Sequence, residues 1–284
     1  MPNHIKPAAL LITVLVALGG FVAAAAAQSP VDLVRSAAAA GSSASLDHSR
    51  WTELLKTYVK PAPDGINLVD YASFKRSGHE ALKSYIVQLQ EVTPAKLSRP
   101  EQFAYFVNLY NAKTIDIVLD KYPVKSIKNI SLGGSLFATF TGGPWKAKVL
   151  RVQGVDLSLD DIEHVILRPV FKDPRVHYAV NCASIGCPNL ATEAYTGANL
   201  EPMLDAGARA YVNHPRGVTV TGGKLQVSSI YHWFKTDFGN TDEGVLAHLR
   251  QYAQPALAKR LQRVNAIDSH DYDWKLNDTR AEQS

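Results

Sequence analysis

The residues best suited to chemistry lie in a thirteen-residue stretch that runs from Val176 to Pro188. It holds both cysteines of the chain, and its polar and reactive members are His177, Asn181, Cys182, Ser184 and Cys187. A cysteine becomes a nucleophile when a histidine, a positive charge or a helix N-terminus lowers the pKa of its thiol. We therefore predict Cys182 as the nucleophile of a hydrolase or acyl transferase that acts on peptide or amide bonds.

The base that would activate Cys182 is less obvious. We interpret residues 176–181 as a strand, and side chains alternate along a strand, so His177 and Cys182 face opposite sides unless the chain bulges near Asn181. His164, on a predicted neighbouring helix, is an alternative base. His232 is a third.

Two other interpretations of the cysteine pair stay open. In an exported protein, Cys182 and Cys187 can form a disulfide, which excludes a nucleophilic Cys182 and favours a non-catalytic module that binds a peptide or envelope component. The cysteines with His164 and His177 are also possible zinc ligands, but the C-x4-C spacing is looser than usual for zinc. We predict no metal, and no glycine pattern indicates a nucleotide cofactor.

Two asparagines one helical turn apart, Asn108 and Asn111, lie on a helix that is apolar nearly all round. A buried amide without partners costs ~1–3 kcal/mol, so both must be hydrogen-bonded. They either fix the backbone of neighbouring loops or line a site, where Asn108 or Asn111 would orient a base or stabilise an oxyanion.

The N-terminus predicts export. His4 and Lys6 precede an apolar run over 8–22 and an alanine tract ending at Ala27, a pattern typical of a signal peptide over residues 1–27. We expect a flexible leader over 28–48, one domain over 49–277 and a tail over 278–284, in a periplasmic or secreted protein without a membrane span after cleavage. The formal net charge is +4, without a dense basic run, so we expect no nucleic-acid partner.

Hydrophobic periodicity and turn residues predict an α+β fold, with long helices packed around a small, mostly antiparallel sheet. One helix is predicted to begin at Ser49, and further helices are predicted over 79–90, 100–119, 159–167, 200–213, 242–252 and 255–263. Strands are predicted over 68–71, 148–152, 176–181, 218–221 and 225–228, and Gly222-Gly223 should join the last two in a hairpin.

Four motifs, in this order along the chain, resemble the landmarks of the domain-of-unknown-function 547 (DUF547) family. They are Phe106–Ala112, Asp161–Arg168, Val176–Pro188 and Tyr272–Asn277. The resemblance extends from about Leu68 to Asn277, and it implies an α+β fold similar to papain-like or transglutaminase-like enzymes. The chain departs from those enzymes because Gly186 and Pro188 discourage a helix directly after Cys182.

The same resemblance implies that Glu163, His164 and Arg168 form a buried polar network beside the cysteine loop. A glycine-flanked segment, Ser135–Thr141, is a predicted lid over any cleft near Cys182.

Overall fold

The computed structural model describes residues 29–35, 44–132 and 143–280. Within these ranges the fold is α+β, as predicted. The α-helices are α1 (Asp32–Arg35), α2 (Ser49–Tyr58), α3 (Tyr71–Ser77), α4 (His79–Gln90), α5 (Arg99–Lys121), α6 (Val176–Ala179), α7 (Leu200–Val212), α8 (Ser229–Trp233), α9 (Asp242–Tyr252) and α10 (Pro255–Leu261). A π-helix spans Asp161–Phe171, and 3-10 turns cover Pro94–Lys96, Ile127–Asn129 and Lys235–Phe238.

In the part of the chain that the structure describes, the strands form three small sheets. They are β1 (Val59–Pro61), β2 (Asn67–Val69), β3 (Leu150–Val152), β4 (Val155–Leu157), β5 (Val218–Thr221), β6 (Lys224–Ser228) and β7 (Ser269–Asp271). β1–β2, β3–β4 and β5–β6 pair antiparallel, and β7 adds parallel to β6. The predicted hairpin is confirmed: Gly222 and Gly223 both adopt positive φ between β5 and β6, where a side chain would be strained.

Helix α5 runs through the centre of the main hydrophobic core. Pro100 lies in its first turn, where its missing N–H costs nothing. From Glu101 to Leu119 nearly every side chain is buried, because α3, α4 and the π-helix pack around it. A helix that is apolar on all sides is stable only in such surroundings.

A second hydrophobic cluster is built from α7, α8, α9, α10 and the strands β5 and β6. Val180 belongs to the main core and Ile230 to the second cluster, and both line the same cavity. The cavity therefore lies where the two packing units meet.

The predicted strand over 176–181 is wrong. Residues Val176–Ala179 form the short helix α6, which ends where the Val180 N–H donates to the Val176 carbonyl at 3.1 Å. The Asn111 side chain binds the backbone on either side of this end, at Ala179 and at Asn181. The Ala179 carbonyl and the Asn181 N–H, which in a strand would bond to a neighbouring strand, are thus already hydrogen-bonded to Asn111.

The π-helix Asp161–Phe171 replaces the predicted α-helix over 159–167. Pro169 lies inside it and has no N–H to donate to the preceding turn, which favours a locally widened helix. Lys172, in the left-handed region, ends the helix.

Several predictions fall wholly or partly outside the described residues. The signal peptide, the Ser135–Thr141 lid and the end of the tail lie there. In the region predicted as leader, Leu33 and Val34 of α1 are buried in the main core. No helix in the described ranges has the length and apolar character needed to cross a bilayer.

Candidate functional site

The cysteine loop is closed by a disulfide between Cys182 and Cys187. The Asn181 side chain shapes the loop. Its oxygen Oδ1 accepts the Ala183 N–H at 2.8 Å, and its Nδ2 donates to the Pro188 carbonyl at 2.7 Å. Ala183 has a φ of 61°, a conformation that is unfavourable for a residue with a Cβ. The loop is therefore held in a single shape by the disulfide and by Asn181.

The segment that follows β7 forms the outer support of this loop. Backbone N–H groups of Ile185 and Gly186 donate to the carbonyls of Lys275 and Asp273, both at 2.8 Å. This pairing brings the Tyr272 hydroxyl to 3.0 Å from Cys182 Sγ and 3.1 Å from Cys187 Sγ. The Tyr272 hydroxyl is buried, and this burial raises its pKa, so it stays protonated and serves as a donor to sulfur.

His177 lines the same cavity as the disulfide. Its Nε2 lies 2.7 Å from a carboxylate oxygen of Asp237, which also accepts from Arg168 Nε at 2.6 Å. The His177 ring stacks on Phe234, with centroids 4.4 Å apart. Burial opposes ionisation of Asp237, but hydrogen bonds from His177 and Arg168 outweigh it and hold the pKa of this carboxyl well below its usual value. His177 is thus fixed in orientation by an ionised carboxylate.

The first turns of the π-helix add acidic groups to the cavity lining. Asp160 and Glu163 both line the cavity, and His164 lies between them, 3.8 Å and 3.9 Å from their carboxylate oxygens. Burial raises the pKa of Asp160, and the nearby His164 partly offsets this. Burial also raises the pKa of the Tyr110 phenol, and the neighbouring Glu163 carboxylate raises it further. Tyr110 is therefore a neutral neighbour of Glu163.

Aromatic side chains form another part of the lining, here called the aromatic wall. Trp274 lies at the centre of this wall, with ring centroids 4.7 Å from Tyr272, 5.7 Å from Trp233 and 5.8 Å from Trp145. Trp233 is 44% exposed and, in the described ranges, is one of two exposed large hydrophobic residues, the other being Val87 at 54%. The cavity encloses about 230 Å³.

The two asparagines predicted as candidate site residues lie behind the cavity. Asn108 donates to the Tyr195 carbonyl at 2.7 Å and accepts the Tyr195 N–H at 3.1 Å. Asn111 donates to the Ala179 carbonyl and accepts the Asn181 N–H, both at 2.8 Å. Both side chains are buried and fully engaged with backbone, and neither lines the cavity.

The structure thus brings together most of the predicted site residues. Those that line the cavity are Glu163, His164, His177, Cys182 and Cys187, and those that support it are Asn111, Arg168, Asn181 and Ser184. His232 stacks on His270 away from this lining. Sequence reasoning missed Asp237 and the aromatic wall. Tyr272 and Trp274 belong to the fourth motif of the family resemblance, which was the one available signal for the wall.

The zinc interpretation finds no support in this state, because both cysteine sulfurs are bonded to each other. In the described ranges, a metal-like grouping of side chains occurs at His79, Asp116 and Asp120. There the His79 Nε2 is 2.8 Å from Asp116, and Lys113 pairs with the same carboxylate at 2.7 Å. The charge of Asp116 is therefore already paired with a lysine of the protein.

Comparison with known families gave one match. Residues 94–212 match the profile of the family described as "Protein of unknown function, DUF547". The motifs at Phe106–Ala112, Asp161–Arg168 and Val176–Pro188 lie within the match, and Tyr272–Asn277 lies beyond it. No curated protein and no solved structure matched the chain significantly, so the expected likeness to papain-like or transglutaminase-like enzymes is not confirmed.

Proposed function

Starting from the chain's membership of the DUF547 family, we propose that its central cavity binds a peptide through a basic side chain. The observation that carries this proposal is the pairing of an aromatic wall with two carboxylates in one small cavity. An ammonium or guanidinium group is attracted both by the faces of tryptophan and tyrosine rings and by carboxylates.

The charge of the lining favours a cation. Asp160 and Glu163 contribute to the lining, whereas no lysine or arginine of the described residues does. Asp160 has a raised pKa because burial disfavours its ionised form. A bound cation would replace the lost hydration and favour the charged carboxylate again.

The size of the cavity favours a single side chain. Its volume of about 230 Å³ is below the ~300–1,000 Å³ of pockets that enclose drug-sized ligands. The exposed ring of Trp233 is available to contact the flanking peptide outside the cavity. A peptide that inserts one lysine or arginine side chain matches both features.

The test is a fluorescence titration with acetyl-Gly-Lys-Gly-amide and with the same peptide carrying norleucine, which keeps the apolar stem but lacks the charge. We expect the lysine peptide to bind about 5- to 10-fold more tightly, since a cation–π contact and a partly buried carboxylate together contribute ~1 kcal/mol or more. Trp233→Ala and Glu163→Gln should each weaken binding. Val87→Ala removes an exposed apolar residue elsewhere and should leave it unchanged. Equal affinity for both peptides would overturn the proposal.

A cysteine hydrolase or acyl transferase is the second candidate function, restricted to the reduced protein. The observation that favours it is that His177, oriented by Asp237, lines the same cavity as Cys182. With Nε2 donating to Asp237, Nδ1 of His177 is left as the basic nitrogen.

This second candidate is tested by acylation of the reduced and oxidised proteins with p-nitrophenyl acetate, followed by mass mapping. The expected acetyl group appears on Cys182 of the reduced protein and is lost in His177→Gln. Equal labelling of the His177→Gln variant would exclude His177 as the base.

A further inference from the structure

The two sulfurs of the disulfide differ in their surroundings. Both cysteines line the cavity, but Cys187 is buried, with 3% of its surface exposed, whereas Cys182 is half-buried. An incoming group that enters the cavity therefore has better access to Cys182. Thiol–disulfide exchange depends on which sulfur is attacked and on how well the other leaves.

The two sulfurs share hydroxyl donors, but a backbone N–H bonds to the less accessible sulfur. The backbone N–H of Cys182 donates to Cys187 Sγ at 2.9 Å, and the Tyr272 hydroxyl lies 3.1 Å from the same atom. A sulfur in a disulfide is a weak acceptor, so these donors contribute little while the bond is closed. They would contribute far more to a thiolate, because hydrogen bonds to ionised groups are about twice as strong as neutral ones.

Ser184 completes this arrangement. Its hydroxyl donates to the Tyr272 oxygen at 3.1 Å and lies 3.3 Å from Cys182 Sγ and 3.5 Å from Cys187 Sγ. The Tyr272 proton can point to either sulfur, since its oxygen is 3.0 Å from Cys182 Sγ as well. Charge that develops on either sulfur thus finds a donor already in place, supported by a second hydroxyl.

From the greater exposure of Cys182 and the backbone donor at Cys187, we propose that the Cys182–Cys187 disulfide is a thiol–disulfide exchange site, attacked at Cys182 and reduced by a dithiol. A thiolate of the dithiol attacks Cys182 Sγ, a mixed disulfide forms, and the Cys182–Cys187 bond breaks. Cys187 leaves as a thiolate held by the Cys182 N–H and the Tyr272 hydroxyl. The second thiol of the donor, deprotonated, then attacks its partner sulfur and releases Cys182.

The reaction balances as a two-electron transfer. The dithiol becomes a disulfide, the protein disulfide becomes two thiols, and the two protons lost by the dithiol are taken up by Cys182 and Cys187. This activity goes beyond the binding of a basic side chain and does not depend on it. It would also provide the reduced state in which Cys182 shares the cavity with His177.

The first test needs no variant. The oxidised full-length protein is exposed briefly to excess reduced glutathione under native conditions, quenched with acid and mapped by mass spectrometry. We expect the glutathione adduct on Cys182. An adduct mainly on Cys187, or reduction only after denaturation, would overturn the proposal.

The second test measures the role of the donors. Reduction by dithiothreitol is followed by quenching, alkylation and intact mass, for the wild type and for Tyr272→Phe. Since the variant loses the hydroxyl donor but keeps the ring, we expect its reduction to slow by about 3- to 10-fold. An unchanged or faster rate in a variant with native circular dichroism would contradict the assigned role.

These outcomes are separable from the peptide-binding proposal. Peptide titrations are made with the disulfide intact, and glutathione mapping is made without peptide. Loss of selective exchange leaves the lysine-over-norleucine preference unaffected, and the reverse also holds.

Discussion

Substitution of Asn111 by aspartate is predicted to destabilise the protein in a pH-dependent way. The Asn111 side chain is 2% exposed and forms two hydrogen bonds at 2.8 Å, donating to the Ala179 carbonyl and accepting from the Asn181 N–H. Aspartate keeps the acceptor but replaces the donor with an oxygen that faces the Ala179 carbonyl. At neutral pH the ionised side chain therefore opposes a carbonyl in a buried site.

The magnitude follows from these contacts. An unsatisfied buried carbonyl costs ~1–3 kcal/mol, and burial of a carboxylate commonly raises its pKa by up to ~3–5 units, at 1.36 kcal/mol each. We expect Asn111→Asp to lower the free energy of unfolding by about 4 kcal/mol at pH 7. A protonated aspartate can donate to Ala179 again. Because its folded-state pKa is raised, the loss is greatest at high pH and shrinks as pH falls, by up to ~1.4 kcal/mol per pH unit between 7 and 4.

The assay is urea denaturation of the wild type, Asn111→Asp and Asn111→Ala at pH 7.0 and 4.5. The free energy of unfolding of each variant is compared with that of the wild type at the same pH, which removes the effects of other titrating groups. Asn111→Ala loses both hydrogen bonds without gaining a titratable group, so its loss of about 3 kcal/mol should be the same at both pH values. A pH-independent loss in Asn111→Asp would refute the assignment of Asn111 as donor to Ala179.

Three further predictions concern stability. Burial lowers the pKa of His248 to about 4, so the unfolded state binds the proton more tightly, and the folded state should lose about 3 kcal/mol of stability as pH falls from 6.5 to 4; thermal denaturation should show a flatter pH profile in His248→Gln. A Cβ on Gly186 would lie 2.9 Å from the backbone N and O of Asp273, so Gly186→Ala should lower the free energy of unfolding by about 1–3 kcal/mol, and an unchanged urea midpoint would contradict this contact. Replacing both Cys182 and Cys187 by alanine should cost about 2 kcal/mol in urea denaturation, because the disulfide closes a short loop; no loss would mean that the disulfide does not restrain the unfolded chain.

Local patterns were sufficient for much of the fold. The bounds predicted for α4 and α9 agree with the structure, and α5 was recognised because its apolar periodicity is long. The predicted strand over 176–181 failed because Asn111, about 70 residues earlier, binds the backbone there. A local pattern carries no information on such a contact.

The site was predicted in part for the same reason. His177 and Cys182 were found because they are close in sequence and of reactive types. Asp237 lies 60 residues from His177, and Tyr272 lies 90 from Cys182, so only the tertiary fold brings them together. The choice of base was also affected, because the alternation argument that separated His177 from Cys182 does not apply to the helix α6.

The support of the cysteine loop by the segment after β7 has a consequence for biosynthesis. Ser184 pairs with Leu276, and Asn277 donates to the Ala183 carbonyl, while its own carbonyl accepts the Val69 N–H. A ribosome makes Val69 first, the cysteine loop next and Asn277 last. The elongating chain therefore exposes both cysteines before the segment that encloses them exists, and the order of translation leaves an interval in which the thiols are open to oxidation.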